Sequence, residues 1–515
     1  MVNLFKPTSY TLGAAMAVGA TLAWKLVSFA NALLIALYFG AGSTTDVYFY
    51  VMMVMGFGVT FLQRMNAAVV IPEAMAREAQ TPGTARGLLN GFLYFYLALT
   101  VCLAAAGALA PVTLAGWFSR FETAQLMTDK TLIALSFLLF GLQLLTAYLT
   151  AVLEMYRRFA ASLLTPLNAL LPFVCLMCFG RAWGIISMVY GFLAANAIQI
   201  IVYAYIMRRE LAWNFRPEPV RWHRRLSKNL ASNQLIELAN IVSSVLPVYL
   251  LSGLAAGFVS ALNYAKQLSD SPTEIFTQRV TNVSKIQLTE SAARGDWKKL
   301  DADFLSTQHF MLFLLTPLAV FTSFFAPEIV TLFFKRGNFT PQDAQNAAGF
   351  LRPLLGIMWF MALVLMQNNI VAAGRKVKES LPYALACIVL FIVLVPFTMK
   401  AWGAFAFPYT QLGCCVVSLG INYLLFQKHF PQVSYVRSLC TALRLAGLNA
   451  AALVPPAAAY YGLGIKHWPV FWCVLVCGIL FLAGLFGLSC ANGDWASFRQ
   501  QFDQRKNLLN GAKSV

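Results

Sequence analysis

The chain reads as an all-α polytopic inner-membrane protein of about 14 transmembrane helices, in two pseudo-symmetric six-helix lobes followed by two C-terminal helices. Three observations carry that expectation. Only 11% of its 515 residues are charged, against about 25% in soluble proteins. Hydrophobic residues make up 59% of the chain, and mean hydropathy is +0.67. Finally, these residues come in runs matching the 20 or so that a helix needs to cross roughly 30 Å of hydrocarbon, with the charges gathered into the gaps between runs.

The first six expected spans are 13–40, 46–71, 85–112, 129–152, 157–180 and 183–207, giving an N-terminal lobe over 1–215. A basic connector opens the second lobe, 216–430, whose spans are 230–254, 257–284, 303–332, 343–373, 380–401 and 404–427. Spans 437–463 and 468–490 form a third section, 431–492, before a tail at 493–515. The stretch FGAGSTTDVYFYV (39–51) is echoed by SGLAAGFVSALNYA (252–265), and a carboxylate-bearing loop is expected after the next span in each case, PEAMAREA (72–79) and LTESAARG (288–295). Such parallel repeats place a ligand path between the halves.

The net charge of +18 is not a nucleic-acid signal once its residues are placed. Basic residues crowd alternate loops: Arg77 and Arg86; Arg157 and Arg158; the connector with Arg208, Arg209, Arg216, Arg221, Arg224, Arg225 and Lys228; then Lys285, Arg294, Lys298 and Lys299; Arg375, Lys376 and Lys378; Lys428 and Arg437; and Arg499, Arg505, Lys506 and Lys513. The intervening loops hold only Arg120, Lys130, Arg181, Lys335, Arg336, Lys400 and Lys466. By the positive-inside rule both termini face the cytoplasm. No cleavable signal peptide is expected, because the first apolar run continues as a long helix.

Ionisable groups inside hydrocarbon are costly and point to cavities. Lys25 and Asn31 lie in span 1, and Asp46, Arg64 and Asn66 in span 2. In span 7, Asn233, Glu237 and Asn240 are spaced to form one polar stripe on which Glu237 is a lone carboxylate. Span 8 holds Asn263, Lys266, Gln267, Asp270, Glu274 and Arg279, with Lys266 and Asp270 spaced as an i, i+4 pair. Taken singly these groups have plain structural readings: Lys25 snorkels, and Asp46 caps span 2 beside Thr44 and Thr45. Taken together they mark the first two spans of each half, while spans 3, 4 and 6 are nearly free of charge, which predicts a hydrophilic chamber walled by spans 1, 2, 7 and 8. Arg352, Gln367, Asn368 and Asn369 in span 10 and Arg444 in span 13 are open between helix packing and substrate contact. The ten cysteines lie mostly within apolar runs as small hydrophobes. The four histidines form no sequence cluster, so no metal site is expected.

The segments FGAGSTTDVYF (39–49), LQRMNAAVVIPEAMARE (62–78), NYAKQLSDSPTEIF (263–276) and LFFKRGNFTPQDA (332–344) resemble the MurJ/MviN family of lipid II flippases, in the multidrug/oligosaccharidyl-lipid/polysaccharide exporter superfamily. The resemblance implies alternating access, a cationic cavity, and a groove for the lipid tail at spans 13 and 14. The implied substrate is an undecaprenyl-pyrophosphate-linked saccharide carried from the cytoplasmic to the periplasmic leaflet for peptidoglycan synthesis. It also implies substrate-binding positions: the family's two span-1 arginines match Lys25 and Asn31, its aspartate matches Asp46, its span-2 arginine matches Arg64, and its span-8 Asp-Arg pair matches Lys266 and Gln267, with Asp270 one turn on.

The chain departs from the family pattern at several of these positions. Lysine is a flexible point charge where arginine is a rigid fork, so a flippase for an exopolysaccharide or another envelope glycan stays open as an alternative. A multidrug exporter would favour an acidic cavity. A membrane-embedded polymerase or glycosyltransferase would carry catalytic carboxylates or histidines in sizeable outer loops. No enzyme activity and no cofactor are expected; coupling to Na+, H+ or the membrane potential is open, with Glu237 the candidate ion site. The expected partners are the lipid-linked glycan, membrane lipids and envelope-synthesis proteins, with no nucleic acid, and the chain is expected to act as a monomer.

Overall fold

The computed structural model describes residues 10–81, 83–216, 224–273, 278–496 and 498–499. Glu274, Arg221, His223, Arg505, Lys506 and Lys513 lie outside the described residues, as do the side chains of 10–15, 224–236, 278, 279, 282, 283 and 286, and with them those of Asn233 and Arg279. By contact the chain divides into unit 1, Met1–Ser260 with Arg336–Thr340, and unit 2, Ala261–Lys335 with Pro341–Val515. That division falls after the seventh span, whereas the sequence reading drew the lobe boundary at 215.

Unit 1 contains α1 (Tyr10–Phe39), α2 (Ser43–Met65), α3 (Ile71–Gln80), α4 (Ala85–Leu109), α5 (Pro111–Phe118), α6 (Thr123–Thr128), α7 (Lys130–Met155), α8 (Leu167–Trp183), α9 (Ile186–Glu210) and α10 (Arg224–Leu251). Helix α2 does not stop at its membrane end. It passes through a π-turn, Asn66–Val70, straight into α3. The segment 72–79, expected as a loop, is therefore helical, in keeping with its Ala, Glu, Met and Arg content. The core of the unit packs Val70, Leu88, Tyr96, Tyr148, Val152 and Tyr203 between α3, α4, α7 and α9. Tyr96 and Tyr148 stack at 4.9 Å, and each hydroxyl is satisfied, Tyr96 donating to Asn66 Oδ1 at 3.0 Å and Tyr148 to the Leu89 carbonyl at 2.5 Å. Helices approach closely where a side chain is missing: a Cβ on Gly141 would stand 2.7 Å from Thr100 Cα, and one on Gly191 2.5 Å from Pro172 Cα. Small residues at crossings suit helix packing in lipid, where dispersion contacts replace the hydrophobic drive.

Unit 2 contains most of α11 (Phe258–Pro272), followed by α12 (Gln278–Ala293), α13 (Trp297–Phe324), α14 (Ala326–Phe334), α15 (Pro341–Ala373), α16 (Val377–Trp402), α17 (Ala406–His429), α18 (Tyr435–Ala452), α19 (Val454–Gly462) and α20 (Val470–Ala491). Segment 288–295, also expected as a loop, mostly continues α12. Pro327, and Pro455 with Pro456, sit in the first turns of α14 and α19, where a missing N–H is harmless, so two expected single spans are each broken in two. Cys473 and Cys477 are buried in an apolar cluster with Phe325, Ile329 and Ala459. Two of the polar residues of span 10 act in helix packing: Asn422 donates to Gln367 Oε1 at 2.8 Å, and Asn369 to the Thr281 carbonyl at 3.2 Å. Arg444 pairs with Asp494, which is buried and also stands 3.4 Å from His309 Nε2.

Twelve helices among the described residues are long and apolar enough to cross a membrane. They account for every expected span except the seventh and eighth. Those two are helical over their described residues, span 7 in α10, which carries the apolar stretch Glu237–Leu251, and span 8 in α11 and α12. The protein is thus an all-α polytopic membrane protein.

The close crossing of α4 and α7 gives a direct test. Gly141→Leu should overpack that contact at about 1–3 kcal/mol and lower the melting temperature of the detergent-solubilised protein by several degrees. Gly413→Ala, where a Cβ meets nothing within 4 Å, should leave it unchanged.

Candidate functional site

Arg64 lies in the last turn of α2, two residues before the π-turn. Its Nη1 is 2.6 Å from Glu237 Oε2 on α10, with side-chain exposures of 55% and 24%. Glu237 is therefore not the lone carboxylate that its stripe suggested. It is the counter-ion of the one arginine that matches the family pattern unchanged. Opposite charges inside two spans hint at such a pair, but a sequence separation of 173 carries no register to specify it. The π-turn is also invisible to periodicity, although such turns recur at functional sites. Here it buries Asn66 against the Tyr96 hydroxyl directly beside the ion pair.

Lys25 sits half-buried on α1 with its Nζ 4.9 Å from the Trp24 ring centroid, a cation–π distance. Asn31 is buried and donates from Nδ2 to the Ala169 carbonyl of α8 at 2.8 Å, so its amide ties α1 to α8. Lys266 and Gln267 lie half-buried on α11 in unit 2; Asp270 is exposed and accepts from Ser269 Oγ at 3.3 Å.

Asp46 has a different setting. It is buried in the first turn of α2, and both its oxygens are occupied. Oδ2 accepts from the Gly257 N–H at 2.6 Å, and Oδ1 from the Ser260 N–H at 2.7 Å and the Ser260 hydroxyl at 2.6 Å. A buried carboxylate is tolerated when it gathers this many donors, and the donors are those that the start of α11 leaves without helical partners. The geometry gives Asp46 the task of fixing Gly257–Ser260 onto the α1–α2 turn. Two further glycines make the same turn accessible. Gly337 takes φ +59° and a Cβ there would meet the Leu37 carbonyl oxygen at 2.2 Å, while Gly40 takes φ +63° with Asn338 O 2.4 Å from its Cβ position. Asn338 then donates to the Leu37 carbonyl from its N–H at 3.1 Å and to the Tyr38 carbonyl from Nδ2 at 2.5 Å. Sequence reasoning singled out Asp46 and the KRGNFT stretch but missed that they close on one place. The glycines were the available signal.

Asp129, which precedes α7, borders the same turn. Burial pushes its carboxyl above the usual range, and a hydrogen bond from Thr44 partly offsets that. Among the described residues no group of three or more His, Cys, Asp or Glu could hold a metal ion, and all ten cysteines are free.

A long, all-helical polytopic chain that keeps an ion pair between two of its helices is a multi-pass membrane protein, and comparison with known proteins gives its family. Residues 35–477 match the sequence profile of the family described as lipid II flippase MurJ. The chain belongs to that family. It is 23% identical over 502 residues to a probable lipid II flippase MurJ of Haemophilus influenzae, covering 88% of this chain and 94% of that protein. It is 23% identical over 319 residues to the probable lipid II flippase MurJ of Bdellovibrio bacteriovorus, spanning 60% of each chain. In fold it is similar to a lipid II flippase MurJ in an inward closed conformation, with a TM-score of 0.76, 17% identity, and coverage of 94% of this chain and 100% of that one. An inward-facing multidrug resistance MATE family transporter of the MOP superfamily follows, with a TM-score of 0.60, 14% identity, and coverage of 81% and 95%.

Two outcomes test the packing around the α1–α2 turn. Asp46→Ala should destabilise the protein by about 2–4 kcal/mol and speed amide exchange at Gly257 and Ser260, while Ser260→Ala, which removes one donor, should cost about 1 kcal/mol. The raised Asp129 pKa means that folding favours the protonated acid, so its contribution is most favourable at low pH and is lost as pH rises through the folded value. Asp129→Asn should accordingly melt higher than wild type at neutral pH, and the difference should vanish once the wild-type acid is protonated.

Proposed function

We propose that the protein is a flippase that carries an undecaprenyl-pyrophosphate-linked saccharide, lipid II in the first instance, from the cytoplasmic to the periplasmic leaflet by alternating access. Family membership supports the transport of a lipid-linked glycan. The observation that carries the mechanism is the accessible Arg64 guanidinium held by Glu237. A pyrophosphate bears more negative charge than one carboxylate and presents paired oxygens that suit the guanidinium fork. It can therefore displace Glu237, with Lys25 as a further cationic contact; Lys266 and Gln267, with Asp270 one turn on, are proposed as substrate contacts from their match to the family positions.

Displacement frees the Glu237 carboxylate, the candidate site for a coupling cation, Na+ or H+. Release of the headgroup on the far side lets Arg64 and Glu237 pair again and expels the ion. A membrane potential acting on such a charge contributes roughly 2.3 kcal/mol per 100 mV. The isoprenoid tail stays in lipid, along a groove at α18, α19 and α20, and no covalent step is needed. Both termini lie on the cytoplasmic side, and the chain works as a monomer beside envelope-synthesis proteins.

A flippase for a different envelope glycan is the second reading. It is favoured by Lys25, Asn31, Lys266 and Gln267, where the family pattern calls for arginines and an Asp-Arg pair.

The test is reconstitution into liposomes with defined polyprenyl-pyrophosphate sugars. Arg64→Ala should slow lipid II transport by about 10–100-fold, the loss of one charge-assisted contact, with smaller losses for Lys25→Ala and Lys266→Ala. Glu237→Gln should remove the dependence on the coupling ion. Wild-type transport of another linked glycan but not lipid II would establish the second reading, and unaltered transport by Arg64→Ala would exclude the mechanism.

A further inference from the structure

Arg352 has no role in the site above, yet it sits in a membrane-spanning helix. Among the described residues no carboxylate lies within ion-pair reach of it. It lines a cavity of about 660 Å³ inside unit 2, between α13, α15, α17, α18 and α19. The wall is largely apolar and aromatic, with Phe324, Trp359, Leu412, Ala446 and Leu453, and no acid contributes to it. Trp359 is fixed in place because its Nε1 donates to Thr316 Oγ1 at 3.0 Å, and Gly356 leaves its part of the wall without a side chain. No residue of α20 takes part, although the cavity shares α18 and α19 with the groove proposed for the isoprenoid tail.

The depth of Arg352 suits one kind of ligand. Helix α15 has 33 residues, about 50 Å, and so exceeds roughly 30 Å of hydrocarbon by about 10 Å at each end when the excess is shared. Arg352 stands about 16 Å from the helix start, which puts it some 6 Å inside the hydrocarbon, a depth from which a guanidinium reaches the phosphate plane. The rim agrees: Tyr409 lies in the first turn of α17 and Tyr461 near the end of α19, both more than half exposed, as interfacial tyrosines are.

We propose that this cavity binds one anionic phospholipid, with its phosphodiester on the Arg352 guanidinium and an acyl chain along Trp359, Leu412, Ala446 and Leu453. Charge complementarity selects the headgroup. A guanidinium in hydrocarbon without a counter-ion calls for an anion, and a zwitterionic lipid would bring an ammonium group to a wall without an acid. The rim faces the ends of α13, α17 and α19 that adjoin the loops with few basic residues, so the lipid belongs to the outer leaflet.

The experiment uses the full chain in nanodiscs of phosphatidylcholine containing phosphatidylglycerol, released into mild detergent and weighed by native mass spectrometry. Wild type should retain one phosphatidylglycerol in preference to phosphatidylcholine. Arg352→Gln should lower the fraction carrying it by about tenfold, in line with loss of a charge-assisted contact, while Lys466→Gln should not. Ala446→Phe, which fills the acyl part and keeps the charge, should also lower it and serves if Arg352→Gln folds poorly. Equal retention of the two lipids by wild type, full retention by both cavity variants, or replacement of the phospholipid by an equal amount of undecaprenyl phosphate would each overturn the proposal.

Discussion

The pairing of Arg64 with Glu237 is the interaction on which the candidate site depends. A guanidinium within a membrane-spanning helix is tolerated only with an anion or with water nearby. Here the anion comes from Glu237 on α10. The pair is neither fully buried nor fully solvated, and the proposed exchange mechanism requires that intermediate setting. A deeply buried pair would resist exchange because an uncompensated charge would be left behind. A freely solvated pair would contribute little and would not hold Glu237 in register. The proposed exchange uses that setting: an incoming phosphate would replace the carboxylate without stranding the arginine.

Asp46 illustrates the opposite use of a charge. Its three donors come from Gly257 and Ser260, so the carboxylate is consumed in holding backbone together. Gly337 and Asn338 reach the same α1–α2 turn by close backbone approach. The segments 39–49 and 332–344, quoted for family resemblance, thus owe Gly40, Gly337 and Asn338 to local geometry, while Ser260 of the internal echo 252–265 supplies donors to the carboxylate. Asn31 is likewise engaged, bound to the α8 backbone. Of the polar positions of spans 1 and 2 matched to the family, Arg64 has a long charged side chain whose solvent-exposed portion remains available for exchange, whereas Asp46 and Asn31 are buried.

The helices were legible in the sequence because hydrocarbon imposes a length and composition that few other environments require. Spans such as 130–155 and 470–491 carry almost no competing signal. What was missed has a common cause. The π-turn at Asn66–Val70 and the helical continuation through Ile71–Gln80 lie where apolar periodicity ends and amphipathic propensity takes over. The breaks at Phe325 and Leu453 sit inside apolar runs, and only the following prolines announce them. Long-range pairings such as Arg64 with Glu237, Asn422 with Gln367 and Arg444 with Asp494 are invisible because polar residues in a span advertise the need for a partner and not its identity. The sequence reading left Arg444 and the polar residues of span 10 open between packing and substrate contact. Geometry assigns Gln367, Asn369 and Arg444 to packing and leaves Arg352 lining a cavity of its own.

If Arg64 passes from a carboxylate to a pyrophosphate during transport, then the carboxylate is a competitor of the substrate, and the most direct measurement is the affinity of the detergent-solubilised protein for a short-chain prenyl pyrophosphate. Glu237→Gln keeps the shape of the partner and removes its charge. Binding should tighten several-fold relative to wild type, and Arg64→Ala in the same background should abolish the gain. Unchanged or weaker binding by Glu237→Gln would mean that the pair only staples α2 to α10, and the exchange mechanism would be wrong.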